Sequence, residues 1–332
     1  MEKNKFKNIV CCDSEYSLFI YLLVTNYNVN ESLFFYSQRL NKIYRDKLSE
    51  NGIYLKTYRG KSRVVAFCIN VVYFLYVYFI LTIKRAKGLP AYGFDFLQFS
   101  SAIIMSSSSF SLIEDGLGNY EEPNIVLDAY KRSKLKRYLN YCGLYYPSWG
   151  VSKSVERIFL TSLSTIPSSI ENKVVKIDLQ DQWLSLDSSR KEILLNFFLG
   201  DVSLSNKSNR CVILTQCWSE YKIMTEQQKV DVYRRIIDIV RDSKQYDEIL
   251  LKVHPAETTD YKQYFPDVEV LKYPVPLQIL ELIGYDFKTM ITVNSTAIFT
   301  SKCEHKILLI DEHIDEKTLY RDILNRLEQV EI

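Results

Sequence analysis

Glycine and proline are scarce in this chain, at 10 and 8 of 332 residues, which leaves little material for long flexible linkers. There are three histidines and no H-E-x-x-H pattern, so the usual donors of a dedicated zinc site are missing. The seven cysteines, at 11, 12, 68, 142, 211, 217 and 303, form no C-x-x-C pair, and three of them (11, 68, 211) lie within apolar runs. They read as reduced, buried thiols of a cytosolic protein. A formal net charge of +2 gives no bulk attraction to nucleic acid. The N-terminal Met1-Glu2-Lys3-Asn4-Lys5 leads into a segment too short and polar for a signal peptide. Low-complexity tracts are absent, as are internal repeats beyond two similar halves. Aromatic residues are plentiful instead, with 25 Tyr and 17 Phe, and a hydrophobic fraction of 47% can fill the cores of two domains.

One stretch tests the expectation of a soluble protein. Val64 to Ile83 has only Asn70 and Thr82 as clearly polar residues. It is flanked by Arg59, Lys61 and Arg63 on one side and by Lys84, Arg85 and Lys87 on the other. Its length suits a bilayer span, but positive charge on both sides gives no orientation. A span would also separate residues 1–60 from the rest of an α/β domain that they begin. The segment is therefore expected to be a buried helix, with contact at a membrane surface as an addition.

Apolar strands alternate with helices through the chain, which predicts mostly parallel sheets covered on both faces. Strands are expected at Phe6 to Cys12, Ser32 to Tyr36, Tyr54 to Tyr58, Phe110 to Ile113 and Arg157 to Leu160. Asp13-Ser14 caps the first helix, and Gln38 to Glu50 reads as the second. Residues 165–185 carry no clear signal. Residues 131–137, Lys-Arg-Ser-Lys-Leu-Lys-Arg, read either as a solvated loop or as an electrostatic contact with anionic lipid or a phosphorylated acceptor. A domain boundary is placed at 187/188. Beyond it strands are expected at Cys211 to Leu214, around Leu251, at Val268 to Leu271, at Thr289 to Val293 and at Lys306 to Ile310. The helix Glu226 to Asp242 has Val230, Tyr233, Ile236, Ile237 and Val240 along one stripe.

Three strand ends carry the chemistry. Ligands of open parallel sheets sit beyond the carboxyl ends of the strands. Ile113 leads there into Glu114-Asp115-Gly116, two carboxylates beside a glycine that leaves room for a substrate; as a tripeptide this is equally a surface turn. The run Leu250-Leu251-Lys252-Val253-His254-Pro255 ends in a cation and an imidazole on one strand face, held out of helical dihedrals by Pro255. Packing or capping by that histidine is the competing reading. Val293-Asn294 leads into Ser295-Thr296, hydroxyls at a helix start that suit either a phosphate or plain capping.

Taken in order, these residues resemble the acid-acid-Gly, His-Pro and Ser-Ser/Thr motifs of bacterial sialyltransferases of the GT-B type. With neighbours such as Leu214-Thr215-Gln216, the chain most resembles glycosyltransferase family 52, over about 90 to 310. The resemblance implies two Rossmann-like α/β domains with mostly parallel sheets facing a central cleft: an acceptor-side domain over 1–187 and a donor-binding domain over 188–332. It implies an inverting sialyltransferase that needs no metal and no cofactor. Sialic acid would pass from CMP-sialic acid to a hydroxyl of a terminal sugar, galactose in class, on a capsule- or lipooligosaccharide-type glycan. Glu114 would be the base, with Asp115 as the lesser candidate, and His254 would assist the departing phosphate. Thr215, Gln216, Lys252, Pro255, Gln278, Ser295 and Thr296 would bind the donor. Gln278 stands where family members often carry a ribose-binding Glu. The expected setting is the cytoplasmic face of a bacterial membrane, touched through 59–87 and 131–137, with no nucleic-acid partner and with a homodimer left open. A CDP-glycerol-type phosphotransferase, which shares the Lys-x-His-Pro strand, and a non-catalytic nucleotide- or glycan-binding assembly protein are the alternatives.

Overall fold

The computed structural model describes residues 5–58, 60, 62–161, 164–200, 209–310 and 315–330. The basic residues Arg59 and Lys61 lie outside the described residues. The chain divides into two units, Met1–Leu194 and Leu195–Ile332. The division falls within helix Ser188–Phe198, which the sequence pattern assigns to the second domain.

Among the described residues the first unit holds seven strands: β1 Asn8–Cys11, β2 Ser32–Tyr36, β3 Gly52–Tyr54, β4 Ala91–Gly93, β5 Phe110–Ile113, β6 Val155–Leu160 and β7 Val174–Lys176. They pair in the order β3-β2-β1-β4-β5-β6-β7. The described residues of the second unit hold five: β8 Arg210–Leu214, β9 Glu248–Lys252, β10 Glu269–Leu271, β11 Thr289–Thr292 and β12 His305–Leu308, in the order β10-β9-β8-β11-β12. Every pairing among the described residues is parallel. Every residue of β1, β2, β5, β8 and β11 is buried, as strands covered on both faces require. In each sheet the strand order reverses beside the first strand, between β1 and β4 and between β8 and β11. Ligands bind at such reversals in open α/β sheets.

The opposite end of the second sheet is held by charge. Arg210 opens β8 fully buried, and its guanidinium donates to Glu248 at the start of β9 at 2.8 and 2.5 Å. Glu269, which opens β10, lies 3.6 Å away. One cation thus ties three strand starts, which leaves the carboxyl ends for chemistry.

Several expectations shift. The third strand is Gly52–Tyr54 and not 54–58, because its register runs Phe34 to Gly52 and Tyr36 to Tyr54. The second helix contracts to Lys42–Lys47. β4 and β7 are three-residue strands with no sequence signal of their own, and residues 131–137 belong to two helices, Asn124–Arg132 and Lys134–Tyr141, and not to a loop. The apolar segment is a helix, Arg63–Ile83, but it is not a buried one. Val77 and Leu81 are buried, and Tyr73, Phe74 and Ile80 pack beside them on the core. That is one stripe at helical spacing. Val64, Phe67, Val72, Leu75, Tyr76 and Phe79 are exposed.

Gly93 shows how tightly the reversal is built. It adopts a φ of +126°, and a Cβ there would lie 1.8 Å from the Cys11 carbonyl oxygen of β1. That oxygen already accepts the Phe94 N–H at 2.7 Å. Gly93→Ala is expected to destabilise the first unit by roughly 3 kcal/mol or more, combining forbidden dihedrals with a backbone clash. A urea unfolding midpoint equal to that of the unsubstituted chain would contradict this.

Candidate active site

In the first unit, Cys11, Gly93 and Leu112 stand in register across β1, β4 and β5. Ile113 ends β5, and Glu114 and Asp115 follow it. Glu114 folds inward, with 0% exposure. Its carboxylate accepts from Tyr120 Oη at 2.9 Å, Tyr16 Oη at 3.3 Å, Thr161 N at 2.5 Å and Thr161 Oγ1 at 3.0 Å. Burial raises its pKa, and these donors pull against that rise. Both oxygens are engaged, so the side chain knits β5 to the first helix and to the residue after β6.

Asp115 behaves differently. It is half-buried, its N–H is held by Asn119 Oδ1 at 2.7 Å, and Gly116 follows at a φ of +144°. Burial raises its carboxyl above the ordinary aspartate range, while a bond from Ser14 and the charge of Arg39 act the other way. Ser14 is also the N-cap of helix Glu15–Val24. Asp13 accepts from Ser37 N at 2.5 Å and Ser37 Oγ at 2.6 Å and is linked electrostatically to Arg39 and Asp115. The structure therefore joins Asp115 to Asp13, Ser14 and Arg39 at the reversal of the sheet. From sequence, Asp13-Ser14 is only a cap, and Arg39 carries no signal.

In the second unit, Lys252, Leu214 and Thr292 stand in one row across β9, β8 and β11. Neighbouring strands are about 4.8 Å apart, so the segments that continue from these strands emerge along an edge roughly 10 Å wide. Thr215 and Gln216 come after β8, His254 and Pro255 after β9, and Ser295 and Thr296 after β11. The structure thus brings six of the predicted donor-side residues to one edge, with Lys252 at the end of β9 just behind it.

His254 is fixed by its backbone and by its ring. Its N–H donates to Thr215 Oγ1 and to Glu257 Oε2, both at 3.0 Å. Its Nδ1 accepts from Ala256 N at 3.1 Å, which assigns the proton of the neutral ring to Nε2. Burial, and after it the charge of Lys252, pushes the ring pKa down to about 4. At neutral pH the imidazole is uncharged and presents Nε2–H as a donor.

Behind it lies a network that sequence reasoning misses. Glu257 bonds Thr215 Oγ1, and its Oε1 accepts from Tyr261 Oη at 2.6 Å. Lys229, fully buried, reaches Glu257 at 3.0 Å and Glu220 at 2.9 Å. Glu220 also accepts from Thr258 N at 2.8 Å. Burial alone would raise Glu220, but the Thr258 N–H and Lys229 outweigh it and hold the carboxyl down at about 2. A Lys beside Val230 in an otherwise apolar helix stripe is the available signal.

Two expectations about the donor side are revised. Ser295-Thr296 precede a helix of only four residues, Ala297–Thr300, too short for an appreciable dipole. What they offer is hydroxyls, with Ser295 Oγ accepting the Ala297 N–H at 3.4 Å. Gln278 is buried within helix Leu277–Leu282 and its amide donates to Thr300 Oγ1, so it braces that turn. Among the described residues, no three His, Cys, Asp or Glu side chains gather closely enough to hold a metal ion.

The sequence model of glycosyltransferase family 52 matches residues 92–312. An uncharacterized protein of Haemophilus influenzae is 34% identical over 227 residues, 67% of this chain and 69% of that one. Among solved structures, an alpha/beta-galactoside alpha-2,3-sialyltransferase of Photobacterium phosphoreum superposes with a TM-score of 0.57 at 13% identity, covering 98% of this chain and 96% of that chain. A sialyltransferase of Photobacterium damselae, taken over its GT-B domain, superposes at 0.51 with 16% identity, covering 97% and 96%. These two likenesses establish the GT-B fold.

The ring state of His254 is directly measurable. With three histidines in the chain, nitrogen-resolved NMR should show one neutral Nε2–H tautomer at pH 7 that titrates near pH 4. A ring already charged at pH 7 would refute this assignment of the Nε2 proton.

Proposed function

The chain belongs to glycosyltransferase family 52, and from that premise we propose that it is an inverting, metal-independent sialyltransferase. It moves sialic acid from CMP-sialic acid to a hydroxyl of a terminal sugar, galactose in class, on a bacterial surface glycan of capsule or lipooligosaccharide type. The observation that carries this reading is the row of Thr215, His254 and Ser295 at the reversal of the second sheet, backed by Lys252. A departing monophosphate carries less charge than a diphosphate. One cation, one imidazole N–H and two hydroxyls are a sufficient electrostatic cradle for it.

In the proposed reaction the acceptor hydroxyl oxygen attacks the anomeric carbon of the sialyl group from the face opposite CMP. The bond from that carbon to the phosphate oxygen breaks, and its electron pair leaves with CMP. The hydroxyl proton passes to a carboxylate. The motif resemblance gives that role to Glu114. The geometry favours Asp115, because Glu114 has both oxygens engaged and no exposed surface, whereas Asp115 is half-buried with a pKa lifted by burial. Glu114 then positions the loop that carries Asp115.

His254 Nε2–H donates to the departing phosphate. Its low pKa in the unliganded chain is consistent with this role, because the negative phosphate offsets the charge of Lys252 and raises the ring pKa as the donor binds. Protonation of His254 is thereby coupled to donor occupancy. Ser295 and Thr296 hydrogen-bond the phosphate, and Thr215, Gln216, Pro255 and Gln278 shape the nucleotide site.

Hydrolysis and transfer of CMP-sialic acid by the purified protein test the assignment. Transfer should persist in EDTA, and a strict need for added divalent metal would count against the mechanism. Asp115→Asn and His254→Ala should each lower kcat by about a thousandfold with the fold intact. Glu114→Gln should retain the acidic limb of the pH–rate profile, on which the base takes up its proton, at reduced rate. Loss of that limb in Glu114→Gln and its retention in Asp115→Asn would return the base role to Glu114.

CMP binding near pH 6 should take up a proton, read by calorimetry in two buffers of different ionisation enthalpy. Affinity should rise as pH falls from 7 toward 5, because the ring binds its proton more tightly in the complex. The part of the uptake due to the ring should vanish in His254→Gln; an unchanged uptake would remove His254 from the site.

A further inference from the structure

We infer that the outward face of helix Arg63–Ile83 docks on the surface of an anionic lipid bilayer, with the helix lying along the interface and not crossing it. Two observations exclude a crossing. The strands before and after the helix, β3 and β4, belong to the same sheet, β3-β2-β1-β4. The helix is also built into the core beneath that sheet: Val77 and Leu81 are buried, Tyr73 packs edge-on against Phe99, and Tyr73 Oη donates to the Lys56 carbonyl. To span a membrane it would have to leave its own sheet.

The same helix carries a second apolar face that is left uncovered among the described residues. Val72 is 60% exposed, Leu75 62% and Phe79 59%, and Val64, Phe67 and Ile83 extend the face to both ends. An interfacial helix normally shows one polar face and one apolar face. Here the protein core takes the place of water on one side, so the outward face is left for a third phase.

Charge selects the occupant. From Asn51 to Phe94 there is no acidic residue and there are seven basic ones, so this segment carries +7 while the remainder of the chain sums to −5. Basic residues stand beyond both ends of the apolar run. Two copies laid helix on helix would bring cationic ends together in either direction, with no acid in the segment to answer them. An anionic headgroup layer answers both ends at once. Lys87 already lies with its ammonium 3.2 Å from the ring centroid of exposed Tyr78, the pairing of an aromatic with a snorkelling cation that suits an interface.

The helices Asn124–Arg132 and Lys134–Tyr141 carry another exposed apolar and basic surface in the same unit. They expose Ile125, Leu135, Tyr138 and Tyr141 among Lys131, Arg132, Lys134 and Arg137. Gly143, which follows them, sits against Met105 of helix Ser100–Ser106, the helix that packs on Arg63–Ile83. The inference does not depend on which sugar the enzyme transfers.

The test is flotation of the full-length protein with vesicles of phosphatidylglycerol and phosphatidylethanolamine, and with vesicles of phosphatidylcholine alone, in low salt. The protein should float with the first and bind the second weakly. Leu75→Glu/Phe79→Glu should reduce the floated fraction at least about tenfold while leaving the unfolding midpoint and transfer to a soluble acceptor unchanged. Equal flotation of that variant, or no flotation of the unsubstituted protein, overturns the inference. So does a dimer, seen by light scattering without lipid, that the same substitutions dissociate while flotation is absent.

Discussion

The edge of the second sheet to which we assign the donor depends on one buried ammonium. Lys229 is withdrawn entirely from water, and Glu220 and Glu257 hold it at 2.9 and 3.0 Å. A buried charge costs several kcal/mol unless it is matched, and matching it fixes its partners in turn. Glu257, so anchored, accepts from Thr215, Tyr261 and the N–H of His254. Loops after parallel strands are ordinarily the mobile part of such sheets. Here the ends of β8 and β9 are joined by a carboxylate that cannot move without stranding a cation. The imidazole above it inherits that rigidity.

The first unit reaches the same end by another route. Glu114 is caged by two tyrosines and a threonine and has no cation among its hydrogen-bond partners in the described residues. Burial raises its pKa, and the donors restrain the rise, so the carboxyl serves as a hydrogen-bond hub. In each unit, then, a fully buried acid lies one to three residues from a more accessible titratable group, Asp115 in one case and His254 in the other. In the proposed reaction the accessible group meets the substrate, and the buried one sets where it stands.

This division is only half legible in the sequence. Strands with continuous apolar runs, such as Leu33 to Tyr36 and Cys211 to Leu214, declare themselves because both faces are buried. β4 does not, because Ala91, Tyr92 and Gly93 carry no strand signal and are held by neighbours on both sides. The motif residues at strand ends are readable, and the topology places those of each unit at its sheet reversal. Their partners are not. Lys229, Glu257, Arg39 and Asp13 look like ordinary surface or capping residues until the fold brings distant segments together. Gln278 is readable for its chemistry, but its burial beside Thr300 is a tertiary fact. The apolar helix is legible as a helix, but the expectation that it is buried fails, because periodicity cannot register an apolar face that the protein itself leaves uncovered.

The strand order has a further consequence, for assembly in time. β1 and β8 are the first strands made in their units and sit inside their sheets, so each sheet grows outward from its earliest strand, first to one side and then to the other. No pair can close as a hairpin, and each addition requires a crossover. In the first unit the helix Arg63–Ile83 leaves the ribosome after one side of the sheet is complete and before β4 exists. The core stripe of that helix has, at that moment, no Phe99 or Ala102 to rest against. A nascent chain of this topology presents its most apolar segment bare on both faces for as long as it takes to translate β4 and β5, a period in which chaperone or lipid competes with the unfinished sheet.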